Sequence, residues 1–204
     1  MQKPRVLIFS GYGLNCEEET KFAFDLAGTR ADIIHINDLV QAPKRIASYQ
    51  ILAFPGGFSF GDDTGSGNAY AWKVRNHLWD HILAFVTKDR LVIGICNGCQ
   101  ILVAFGLLPA LGNAYGTRQV ALLHNDSARY IVRWTDLSVD SESPWLAGVT
   151  SLSLPIAHGE GRLYASDSVL DQIEAKRLVA LRYTEGPVGT LLFFRNKANC
   201  AHKY

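Results

Sequence analysis

Short apolar runs alternate along the chain with segments whose apolar residues recur every three or four positions. Residues 5–10 (Arg-Val-Leu-Ile-Phe-Ser), 31–36, 50–54 and 91–95 read as strands, apolar enough for burial on both faces. Between them, Asn15 is expected to cap a helix with Glu17, Glu18 and Glu19 in its first turn, where carboxylates suit the positive end of the helix dipole. Gly28 ends that helix, a short helix follows at 42–48, and a long one runs over 68–86. This alternation predicts an α/β fold with a mostly parallel sheet and helices on both faces. After Gly106 the pattern changes: 129–139 alternates as half-exposed strands do, 151–155 and 178–183 follow, and a helix covers 166–176. Antiparallel strands are therefore added to the parallel core in the C-terminal half.

Three of the parallel strands run into glycine-bearing loops: Gly11-Tyr12-Gly13, Pro55-Gly56-Gly57 and Gly94-Ile95-Cys96-Asn97-Gly98. In open parallel sheets, sites form beyond the carboxyl ends of the strands, so these loops are expected to share one crevice. Gly94-x-Cys96-x-Gly98 has the form of a nucleophile elbow, a turn so tight that the residues two away must be glycine. A helix starts at once, so the Cys96 thiol lies beside free helical N–H groups that favour its nucleophilic thiolate form. The plainer reading is a buried structural cysteine; the flanking glycines count against it. Gly56 and Gly57 leave backbone N–H groups open to a ligand, and with the Asn97 amide they form a candidate oxyanion hole. Taken alone, the same loop reads as an ordinary turn.

Composition narrows the class. At 204 residues, 48% of them hydrophobic, the chain supports a sizeable core and is expected to be one domain, 1–204. A net charge of +1 gives no basic excess for nucleic acid, and no apolar run is long enough to span a bilayer. Met1-Gln2-Lys3-Pro4 leads straight into a strand, so a cytoplasmic setting is expected, with Cys16, Cys96, Cys99 and Cys200 reduced. Cys96-x-x-Cys99 also fits disulfide exchange, but that chemistry does not need the glycine pair. His77 and His81, spaced i, i+4 with Asp80 between, could hold a metal only with a third ligand, so no metal site is expected.

Taken together, Phe-Pro-Gly-Gly-Phe-Ser-Phe-Gly-Asp (54–62), Gly-Ile-Cys-Asn-Gly-Cys-Gln (94–100) and Pro-Ile-Ala-His-Gly-Glu-Gly-Arg (155–162) resemble the glutaminase part of phosphoribosylformylglycinamidine synthases. These are class I (triad) glutamine amidotransferases. Gly11-Tyr12-Gly13-Leu14-Asn15-Cys16 and Gly106-Leu107-Leu108-Pro109 fit the same pattern, from residue 4 to about 185. The resemblance implies a flavodoxin-like fold and hydrolysis of glutamine through a cysteine thioester. It further implies that ammonia passes to a separate ATP-dependent synthetase subunit for purine biosynthesis. No cofactor is implied on this chain, and ATP and Mg are expected on the partner. Cys96 matches the nucleophile, Gly57 and Asn97 the oxyanion donors, and Gly56, Phe58 and Gln100 positions around the glutamine.

The tail departs from the family. Its catalytic His-x-Glu pair lies in a C-terminal Pro-His-Pro-Glu segment that this sequence does not contain. Arg182-Tyr183-Thr184-Glu185-Gly186-Pro187-Val188 stands where the family has Asn-Pro-Asn-Gly, and the chain stops several tens of residues early, at Asn199-Cys200-Ala201-His202-Lys203-Tyr204. A glutaminase cysteine needs an imidazole to move its proton and a carboxylate to orient the ring. His158-x-Glu160 reproduces the spacing of the missing pair and is the candidate substitute; His35, His77, His81, His124 and His202 rank below it. Two readings therefore stand: a working glutaminase, or an impaired glutaminase-fold subunit that binds and scaffolds the synthetase.

Overall fold

The computed structural model describes residues 3–140 and 143–184. Their contacts divide them into two compact units: residues 3–107 with 115–118, and residues 108–114 with 119–140 and 143–184.

The first unit is built on parallel strands β1 (Arg5–Ser10), β2 (Arg30–His35), β3 (Ile51–Phe54) and β4 (Leu91–Gly94), in the order β2-β1-β3-β4. Register pairs Val6 with Ala31 and Ile51, and Phe54 with Gly94. Leu7, Phe9, Leu52 and Phe54 point into the main core cluster. Val6, Ile8 and Ala53 point the other way and are equally buried, so the sheet is covered on both faces, as a continuous apolar pattern requires.

Helices α1 (Glu17–Leu26), α2 (Ile36–Gln41), α3 (Asn68–Val86) and α4 (Asn97–Phe105) complete this unit. Helix α3 has the expected bounds and buries Tyr70, Ala71, Val74, Leu78, Ile82 and Phe85. Its opposite side carries the exposed His77 and Asp80, as for a solvated face. The cap of α1 differs from expectation. Cys16 takes that position with no side-chain cap bond, because Asn15 is held against the loop after β3. The short helix expected at 42–48 is a 3-10 turn at Pro43–Ser48, preceded by the unforeseen α2.

The second unit contains β5 (Ala121–His124), β6 (Ile131–Val139), β7 (Ser151–His158), β8 (Glu160–Tyr164), α5 (Asp167–Ala175) and β9 (Leu181–Tyr183). The antiparallel strands form two further sheets, β5-β8 and β7-β6-β9. Strand β7 runs three residues past the expected end at 155, and His124 closes β5 instead of lying in a loop. The sequence readings that concern residues 185–204, including Cys200 and His202, lie outside the described residues. Among those described, no helix is long and apolar enough to cross a membrane, and no three or more His, Cys, Asp and Glu side chains are grouped as if to hold a metal ion.

Candidate active site

The parallel register brings the ends of β1, β3 and β4 side by side, and their loops meet. Phe58 N–H donates to the Gly13 carbonyl at 2.8 Å, Phe60 N–H to Tyr12 at 2.7 Å, and Cys16 N–H to Gly56 at 3.2 Å. Gly57 lies so close to the first loop that a Cβ there would stand 2.2 Å from the Gly13 oxygen and 2.8 Å from the Asn15 nitrogen. A Cβ on Gly56 would touch both the Cys16 sulfur and the Cys96 Cβ, at 3.4 and 3.5 Å. The expected convergence of the Gly11, Gly56 and Cys96 loops is thus present.

Cys96 occupies the N-cap of α4 with φ 53° and ψ −113°, a left-handed conformation that costs a non-glycine residue energy and recurs where strain serves a site. The turn is held by Ile95 N–H on the Phe54 carbonyl (2.9 Å) and Gly98 N–H on the Ile95 carbonyl (2.9 Å). Both flanking glycines are required. A Cβ on Gly98 would fall 1.9 Å from the Phe54 oxygen, and one on Gly94 2.6 Å from the Gly98 oxygen. The result is an exposed Cys96 side chain at the tip of the elbow.

The other thiols differ. Burial, reinforced by the neighbouring Cys96, pushes Cys99 up to about 11. Cys16 is raised by burial first, then by Glu19, Cys96 and Glu17. Both therefore remain thiols at neutral pH. Cys96 is the exposed one of the three described cysteines.

The amides of Gly57 and Asn97 have no acceptor among the described residues. Gly57 adopts φ 138°, a conformation that glycine alone reaches easily. The Asn97 side chain is fully buried. Its Oδ1 accepts from Ser59 N–H at 3.1 Å, and its Nδ2 donates to Asp62 Oδ1 at 3.2 Å and Gln100 Oε1 at 2.9 Å. Phe58 is half exposed on the same loop. The structure thereby brings Gly56, Gly57, Phe58, Cys96, Asn97 and Gln100 together in the first unit.

His158 and Glu160 belong to the second unit. The His158 ring is oriented by Asn125, with Nδ1 3.0 Å from Asn125 Oδ1. Asn125 Nδ2 donates to the carbonyls of Arg129 and His158, which fixes Oδ1 as the acceptor and Nδ1 as the protonated ring nitrogen. Nε2 is buried with no partner among the described residues. Burial, then the charge of Arg133, lowers the His158 pKa, so the ring is neutral at physiological pH. Glu160 Oε1 stands 3.5 Å from His124 Nδ1, so the orienting contact found at His158 comes from an amide. His35 serves the fold: its Nδ1 accepts from Asn37 N–H and caps α2.

Residues 3–191 match the family model described as a CobB/CobQ-like glutamine amidotransferase domain. The chain is 44% identical over 183 residues to the phosphoribosylformylglycinamidine synthase subunit PurQ of Methanococcus maripaludis, covering 89% of this chain and 67% of the relative. It is 40% identical over 201 residues to PurQ of Dehalococcoides mccartyi, covering 94% and 78%. The chain belongs to the PurQ family. Among solved structures, PurLQS from Thermotoga maritima matches with a TM-score of 0.68 at 28% identity, over 91% of this chain and 76% of that one. The mixed α/β fold with its parallel sheet is that of this family's structures.

The elbow and the glycine loop are legible in the sequence, whereas the hydrogen-bond network of the Asn97 side chain is not. The available signal was an amide residue directly after the nucleophile and three positions before Gln100, one helical turn away. Asn15, expected as a helix cap, stands against Gly57 instead.

Proposed function

We propose that this chain is the glutaminase component of a phosphoribosylformylglycinamidine synthase and supplies ammonia to a separate ATP-dependent subunit. The observation that carries the reading is the exposed Cys96 at φ 53° on the N-terminus of α4, wedged between glycines that admit no Cβ. Its thiolate attacks the side-chain amide carbon of glutamine. The C=O electrons move to oxygen, and the Gly57 and Asn97 amides donate to that oxyanion. Collapse breaks the C–N bond, the amide nitrogen takes up the proton that the Cys96 thiol released and leaves as ammonia, and a γ-glutamyl thioester remains on Cys96. Water then cleaves the thioester to glutamate and regenerates the thiol. Gln100 and Phe58 line the glutamine side of the loop. ATP and Mg belong to the partner's half of the reaction, and the chain itself needs no cofactor for amide hydrolysis.

The relatives of this chain support the working glutaminase over a binding-only subunit. Imidazole assistance to the departing ammonia is worth about a hundred- to ten-thousand-fold. His158→Ala tests whether His158 provides it: a fall of that order supports the assignment, and an unchanged rate removes it. The whole reading is tested by adding a diazo-ketone analogue of glutamine and mapping the adduct by peptide mass spectrometry. Label on Cys96 that spares Cys16 and Cys99 is the expected result; equal labelling of Cys99 contradicts the elbow.

A further inference from the structure

Three consecutive residues of the loop after β3 stand in left-handed backbone conformations: Phe60 (φ 54°), Gly61 (φ 68°) and Asp62 (φ 55°). Two of them are not glycine, so surrounding contacts must hold this path. On one side, the Tyr12 and Phe60 rings stack at 4.8 Å and the Phe60 N–H reaches the Tyr12 carbonyl. On the other, the contacts of the buried Asn97 side chain reach both ends of the strained stretch, Ser59 N–H and Asp62 Oδ1. The third contact, to Gln100 Oε1, returns to the first turn of α4. Asn97 thus uses both amide hydrogens and its oxygen in a buried network, in which each lost partner leaves an unsatisfied group.

The backbone N–H of Asn97 itself and that of Gly57, two residues before Ser59, both stand without an acceptor among the described residues. We infer that the Asn97 side chain is a positioning residue, which ties the loop bearing the Gly57 amide to the helix turn bearing its own and so sets the spacing of the oxyanion donors. This rests on the glutaminase reading above and deepens it. One side chain fixes two donors that come from different strand ends. A donor displaced by a fraction of an ångström meets the transition-state oxygen poorly, while the thiol beside it is unaffected.

The isosteric Asn97→Asp separates this role from simple space filling. The new carboxylate still accepts from Ser59 N–H and can accept from a turned Gln100 amide, but it faces the Asp62 carboxylate with no hydrogen to give. Adding Asp62→Asn returns a donor to that contact with its direction reversed. The readout compares Cys96 labelling by the diazo-ketone analogue, whose ketone occupies the oxyanion position, with labelling by iodoacetamide, which reports only on the thiol. Asn97→Asp is expected to slow the diazo-ketone by about tenfold or more beyond any slowing of iodoacetamide, whose rate reports what the new carboxylate does to the thiolate. The double variant is expected to recover beyond the product of the two single effects.

An Asn97→Asp protein labelled by the diazo-ketone as fast as the parent overturns the inference. So does a double variant equal to the product of the singles, or an equal loss with both reagents. A parent chain in which the diazo-ketone fails to label Cys96 overturns the glutaminase reading itself, so the two failures are told apart.

Discussion

At the scale of single residues, the site is a matter of which atoms are missing. Gly98→Ala would drive a methyl group to 1.9 Å from the Phe54 oxygen and 2.5 Å from its carbon, both backbone atoms that cannot swing aside. We expect a loss of stability at or above the ~1–3 kcal/mol of ordinary overpacking, together with loss of Cys96 labelling. Chemical denaturation of the variant beside the parent measures it, and an unchanged midpoint would refute the packing argument. Cys99 gives a second expectation. Held near 11, it should resist iodoacetamide at pH 7.5 while Cys96 reacts, and should react only on unfolding or at strongly alkaline pH. Because the folded-state value lies above the ordinary one near 9, Cys99 contributes stability that is complete below pH 9 and lost as pH climbs from 9 towards 11. Cys99→Ala should flatten alkaline denaturation in that window.

At the scale of elements, long or sharply punctuated segments were legible in the sequence. Helix α3 declares itself through sustained periodicity, and β1, β3 and β4 through apolar runs ending in glycine. Short elements with unusual punctuation were not. Helix α2 is six residues long and its cap is His35, a residue outside the usual capping set, so nothing local announced it. Strand β8 contains Gly161 and follows Gly159, which reads as loop until β5 pairs with it. The elbow was legible because backbone geometry dictates glycine there. The Asn97 network was not, because its partners Ser59 and Asp62 lie 38 and 35 residues away.

The β7 terminus supplies a pH expectation. His158 is neutral and buried on Asn125, with its pKa below the ordinary 6.5. The unfolded chain therefore takes up a proton that the folded chain resists. His158 contributes stability that is present above pH 6.5 and lost as pH falls below it. Thermal melts from pH 7.5 down to 5.5 should show a smaller drop for His158→Gln than for the parent. An identical drop would assign the acid lability elsewhere.

At the scale of the molecule, nucleophile, glycine loop and Asn97 network are all contained in the first unit, at the carboxyl edge of one parallel sheet. The chain's family places it among subunits of phosphoribosylformylglycinamidine synthase, and on the function proposed above its activity is to be read in the presence of an ATP-dependent subunit. The most direct test is synthesis by that subunit together with this chain or its Cys96→Ala variant, supplied with glutamine or with ammonium salt. The account predicts that Cys96→Ala abolishes the glutamine-dependent reaction and leaves the ammonia-dependent one intact, because ammonia bypasses only this site. Glutamine-dependent synthesis that survives the loss of Cys96 would contradict it.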